Sequence, residues 1–175
     1  MKLGVKYLLA VAAQIAVLLF LVVQSEWALR HGQRVLLEVV SHEDLHPLTG
    51  RARELHVAVA ELDKDLQHDP DWEPTPREAV YVLLREGPGG HFPAGYTNRR
   101  PAGGLFLRGR ITSVTPERIT VDYGLDRFYV PSAATGDFPD CKLAVRVTAD
   151  GTALIEDLLV DGQPYADWKR PGRIR

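Results

Sequence analysis

Apolar and polar positions follow two regimes along this chain. From Tyr7 to Val23 the sequence reads YLLAVAAQIAVLLFLVV, with no charge in 17 residues. Such a run predicts a helix about 25 Å long, the short end of a membrane span. Leu3–Val5 lengthens it only across Lys6. The run exceeds the roughly 7–15 residue apolar core of a signal peptide, and Val23-Gln24-Ser25 is a poor cleavage site. An uncleaved anchor is therefore the reading taken, with a cleaved signal and a buried soluble helix as the alternatives. Gln14 in mid-span is tolerable. Trp27 and Arg30 stand just beyond, as interfacial anchors do. Lys2, Lys6 and the α-amino group precede the span, which sets the N-terminus inside and the remainder outside the cytoplasm.

Past the anchor the pattern changes to short apolar runs broken by Gly, Pro and Asp. The helix should continue through Leu29 and stop near Gly32. Strands are expected at Arg34–Val40, Leu55–Leu62, Ala79–Leu84, Leu105–Ile111, Ile119–Tyr123, Arg127–Val130, Leu143–Val147 and Ala153–Val160. In the second of these, His56, Ala58 and Ala60 alternate with Leu55, Val57 and Val59. Asp69–Pro76, with three prolines, must be loop. Gly87–Gly104, rich in Gly, Pro and Arg, reads as one long connection. Asp150-Gly151 marks a tight hairpin, because glycine supplies the positive φ such turns need. No long amphipathic helix is expected after the anchor. The fold class is therefore mainly β: a transmembrane helix, then a compact antiparallel β-sandwich or partly open barrel.

Charge sharpens this division. Of 21 basic residues two, Lys2 and Lys6, precede the span, leaving 19 basic against 23 acidic side chains. An acidic remainder argues against nucleic acid as a default partner, since phosphate binding draws on a basic surplus. The single cysteine, Cys141, excludes an intrachain disulfide and reads as a small packing residue.

One segment has the spacing of a metal site: His42-Glu43-Asp44-Leu45-His46, formally H-E-x-x-H. On a helix, residues i and i+4 share a face and can grip one zinc ion, with the glutamate as general base. Here a strand-like run precedes it and Pro47 follows His46, which disfavours helix there. Thr49 and Ala52 stand where the further glycine and histidine of the longer motif would fall, and Glu61 is the one third ligand to nominate. A polar loop is the preferred reading. A serine peptidase would need Ser25, just past the span, beside a desolvated lysine. Lys64 lies in a charged stretch, and Met1 is the only methionine, so the Ser-Met pair of signal peptidases is missing.

Other features read as ordinary structure. Arg99, Arg100, Tyr96 and His91 could form an anion or headgroup patch, with a solvated loop preferred. Gly87–Gly90 lacks the residues of a phosphate loop. Phe128 and Tyr129 should face opposite ways in a short strand. Asp122 and Asp126, flanking Gly124, read as turn chemistry.

The segment Tyr123-Gly124-Leu125-Asp126-Arg127-Phe128-Tyr129-Val130-Pro131 resembles a motif of the GDYXXLXY proteins. Val80-Tyr81-Val82-Leu83-Leu84 and Phe106-Leu107-Arg108-Gly109-Arg110 match the same family in order. The likeness runs from the anchor to about residue 162. The naming motif is degraded: Gly50 and Leu55 are kept, but Arg51, Ala52 and Val57 replace Asp, Tyr and Tyr. The resemblance implies a bacterial, single-span protein with an extracytoplasmic domain, often encoded beside a polytopic membrane protein, and therefore a partner role. It brings no catalytic residue, metal ligand or cofactor.

The expectation is thus an anchor at residues 1–31 (span 7–23), an extracytoplasmic β domain at 34–165 and a tail at 166–175. The chain should sit in the inner membrane and act as a non-catalytic accessory or binding subunit of an integral membrane protein. The alternatives are a metal-dependent hydrolase using the His42–His46 segment, or an envelope or lipid-binding structural protein acting through Arg99 and Arg100.

Overall fold

The structure, a computed structural model, describes residues 3–45, 52–125, 127–129 and 141–168. A long helix, α1 (Leu3–His31), leads into β1 (Gln33–Leu45) and β2 (Ala52–Val57). A single 3-10 turn at Ala58–Ala60 separates β2 from β3 (Glu61–Asp63). Then follow β4 (Ala79–Gly87), β5 (Gly90–Thr97), β6 (Phe106–Val114) and β7 (Arg118–Asp122). The last described elements are β8 (Arg127–Tyr129), β9 (Cys141–Val147), β10 (Ala153–Val160), β11 (Gln163–Pro164) and the four-residue α2 (Tyr165–Trp168).

The fold is mainly β. Among the described residues the strands form two sheets, ordered β11-β10-β9-β1-β2-β8 and β3-β7-β6-β4-β5, and every strand pairing within them is antiparallel. Alternation builds one apolar interior between them. Val35 and Leu37 of β1 and Leu143 and Val145 of β9 meet Val80 and Val82 of β4 and Leu107 and Ile111 of β6 in one cluster. The sheets also touch at a margin. The Leu36 amide of β1 donates to Nδ1 of His91 on β5 at 3.3 Å. Beside it Gly90 lies so close to the Leu36 carbonyl that a Cβ would meet that oxygen at 2.8 Å.

Three strand assignments differ from the sequence reading. β1 does not stop at Val40 but runs on to Leu45, with a bulge between Val39 and Ser41. The predicted strand at 55–62 is broken by the 3-10 turn, which carries the chain from the first sheet to the second. The predicted long connection at 87–104 contains β5, joined to β4 by a tight turn in which Gly89 has φ +87°. Pro93 is tolerated there because β5 is an edge strand, and the β4–β5 register shifts beside it, between Leu83 and Leu84. The predicted turn at Asp150-Gly151 is present, with Gly151 at φ +84°.

Among the described residues no helix is long and apolar enough to cross a membrane. α1 itself has 29 residues. Its residues 11–23 are apolar throughout except for Gln14. All of those side chains are exposed, Leu18 by 63% and Phe20 by 66%. α1 therefore stands off the sheets instead of packing into their core.

Candidate functional site

Three stretches far apart in sequence converge where β2, the 3-10 turn, β6 and β7 meet. The 3-10 turn leaves the carbonyl of Val59 pointing at the residue after β7, and the Tyr123 hydroxyl donates to it at 2.8 Å. The Tyr123 ring lies over Gly109 in the middle of β6. A Cβ on Gly109 would collide with Val121 and would reach the Tyr123 ring at 2.9 Å, so only glycine leaves room for that ring. Burial without a charged partner pushes the Tyr123 phenol well above its ordinary value.

Beside this contact opens a cavity of about 270 Å³, lined by Leu55, Val57, Tyr123 and Leu125 with the polar rim His56, Thr112, Thr120 and Asp122. Its size sits just below the range of roughly 300–1,000 Å³ usual for small-molecule sites. The floor is apolar, since Leu55, Val57, Val121 and Leu125 are all buried. Its polar groups largely serve the local backbone. Asp122 Oδ1 accepts the Gly124 amide at 2.6 Å, the turn chemistry expected of it, and the Thr112 hydroxyl donates to the Thr120 carbonyl at 3.2 Å. Asp126 lies outside the described residues.

A second concavity, about 290 Å³, is bounded by Asp69, Trp72, Glu73, Asn98 and Arg99. It is built by the segment after β3 folding across the edge of β5. Gln67 bridges in parallel to Tyr96, its Nε2 donates to the Asp69 and Trp72 carbonyls at 2.5 and 2.6 Å, and its Oε1 receives the Tyr96 hydroxyl at 3.4 Å. The Thr97 hydroxyl donates to Asp69 at 2.5 Å. Gly95 is required here, since a Cβ would strike the His68 ring. This segment covers an edge that would otherwise offer unpaired backbone groups.

The residues singled out from sequence are distributed as follows. His42, Glu43 and Asp44 are extended in β1, opposite Leu55, Glu54 and Arg53 of β2, so the helical face needed for i and i+4 ligands is absent over them. His46 lies outside the described residues. Glu61 is on the other sheet, ion-paired to Arg118 at 3.3 Å. Among the described residues no group of three or more metal-binding side chains comes together. Ser25 belongs to α1 and Lys64 to the 3-10 turn after β3. The four-residue anion patch divides: Tyr96 is fully buried and His91 accepts from β1, while Arg99 and Arg100 are exposed. Cys141 is buried, as expected of a packing residue. Phe128 and Tyr129 lie in β8, opposite Arg53 and Ala52 of β2, with their side chains outside the described set.

The Gly109–Tyr123 contact was not anticipated as a unit. The available signal was a glycine inside a strand pattern, which marks a close approach of another group. The segments that meet there are those the family resemblance quoted: β2, which carries most of the degraded naming motif, the Phe106–Arg110 stretch and the stretch opening at Tyr123. A family model described as GDYXXLXY protein matches residues 14–158. No curated protein and no solved structure matches the chain.

Proposed function

The chain belongs to the GDYXXLXY protein family, and from that premise we propose that it is a membrane-anchored accessory protein. In this reading α1 holds an extracytoplasmic, non-catalytic β domain at the inner membrane beside an integral membrane partner. The observation that carries it is the helix itself. Val11, Val17, Leu19, Phe20, Leu21 and Val23 point in every direction around α1, and each is more than half exposed. A helix apolar all round requires an apolar medium or partner. Each such side chain left in water forgoes roughly 1.5–3 kcal/mol of burial. Lys2 and Lys6 at one end, with Trp27 and Arg30 at the other, fit a single pass with the β domain outside.

The β domain then serves as a recognition module. Its seam cavity presents apolar walls, while its phenol and Asp122 carboxylate are bonded to the local backbone; that favours shape over chemistry. The test has two steps. After alkaline carbonate extraction the full chain should remain in the membrane fraction, and release into the supernatant sinks the anchor. From mild detergent the chain should then co-purify in fixed ratio with one polytopic protein. That partner should be lost when Leu55 and Leu125 are both changed to Ala in a folded variant. A chain recovered only as a lone monomer overturns the accessory role.

A further inference from the structure

The end of the β domain where α1 enters carries a concentration of arginine at odds with the chain's net charge of −2. Arg146 of β9 fastens the junction: its Nη1 donates to the Gly32 carbonyl at 3.1 Å and its Nη2 to Glu156 at 2.9 Å. The same carboxylate takes Arg34 Nε at 3.1 Å, so one anion stands between two guanidiniums. Arg30 pairs with Glu26 along the helix at 2.9 Å, yet its side chain stays 72% exposed. Arg100 reaches this end from the β5–β6 connection, its Nη2 donating to the Ala149 carbonyl at 3.1 Å. Ala149 and His31 share one concavity of about 240 Å³, which places Arg100 at the level where the helix ends. Asp150, next to Ala149, has its oxygens taken up by the Thr148 and Thr152 hydroxyls of its own turn.

Resting on the anchor reading, we propose that this end of the β domain binds anionic lipid headgroups through Arg30, Arg34 and Arg100. The levels agree. If the apolar run ends at Val23, Trp27 stands about 6 Å further along the helix and Arg30 and His31 about 10–12 Å. A headgroup layer is roughly 5–8 Å thick on each side of the hydrocarbon, so the tryptophan lies within it and Arg30 stands a few ångströms beyond, close enough for its long side chain to reach back to the phosphates. The acidic remainder of the domain is turned into solvent by the same contact, because like charge is repelled from an anionic surface.

The test uses the full chain in nanodiscs of phosphatidylcholine alone or with about 30% phosphatidylglycerol, counting retained lipids by native mass spectrometry. Phosphatidylglycerol should be retained in preference, by about fivefold for each arginine engaged, and the preference should shrink as salt rises. Arg34→Ala/Arg100→Ala should bring the two lipids toward parity, while Arg34→Lys/Arg100→Lys should keep the preference. Insertion into neutral discs without any preference overturns this inference and leaves the anchor standing. Failure to enter neutral discs overturns both.

Discussion

At the scale of single residues, Tyr123 and Gly109 do for this fold what a larger side chain could not. The phenol satisfies a carbonyl left over by the 3-10 turn at Ala58–Ala60, and its ring occupies the space a Cβ on β6 would take. Removing the hydroxyl with Tyr123→Phe should cost about 1 kcal/mol, read as a lower urea midpoint with unchanged slope. Gly109→Ala should cost about 1–3 kcal/mol by overpacking. A Cβ on Gly109 would crowd both Val121 and the Tyr123 ring, the latter at 2.9 Å, so removing the ring should relieve part of the clash and Gly109→Ala/Tyr123→Ala should cost less than the two single changes together. Strict additivity would show that the ring is not what Gly109 accommodates.

At the scale of elements, the junction of α1 with the first sheet depends on one side chain. Arg146 holds the carbonyl that follows the helix and the carboxylate of β10 at once, which fixes the direction in which α1 leaves the sheet. Arg146→Ala should destabilise the domain by only about 1 kcal/mol, as the side chain is partly exposed. Its signature should be local: faster amide hydrogen exchange at the start of β1, with the β4–β6 amides unchanged. Equal acceleration everywhere would mean that Arg146 supports the core and not the junction. β5 shows a different solution at an edge. Its Pro93, its register shift and the covering segment around Gln67 together leave little of it open to another strand.

At the scale of the whole molecule, burial of two phenols makes stability fall at alkaline pH. Burial raises the ionisation of Tyr96 and Tyr123 above the ordinary 10.0. A folded-state value above the unfolded one means stability is complete below about pH 10 and is lost as pH rises through the folded-state values. Phenolate absorbance should therefore show these two tyrosines ionising only as the protein unfolds, with unfolding by circular dichroism in step. Ionisation of all six tyrosines near their ordinary value in a still-folded chain would contradict their burial. Charge is organised on the same scale: Arg30, Arg34, Arg100 and Arg146 gather where α1 meets the sheets, although the chain as a whole is acidic.

The sequence alone determined the apolar run of α1, the mainly β character, most strand positions, the Asp150-Gly151 turn and the family. Each is carried by local signals: period-two alternation, glycine and proline at turns, and short ordered motifs. Only the tertiary structure decided that β1 continues through the His42–Leu45 segment, because a polar stretch becomes a strand when β2 is there to pair with it. Only it revealed β5, whose Gly- and Pro-rich sequence lacks strand propensity and is held by β4 on one side and the Gln67 segment near the other. The meeting of Val59, Gly109 and Tyr123 belongs to the same class. Contacts between residues so far apart in the chain leave no periodic trace, and are fixed only when the two sheets close over one core.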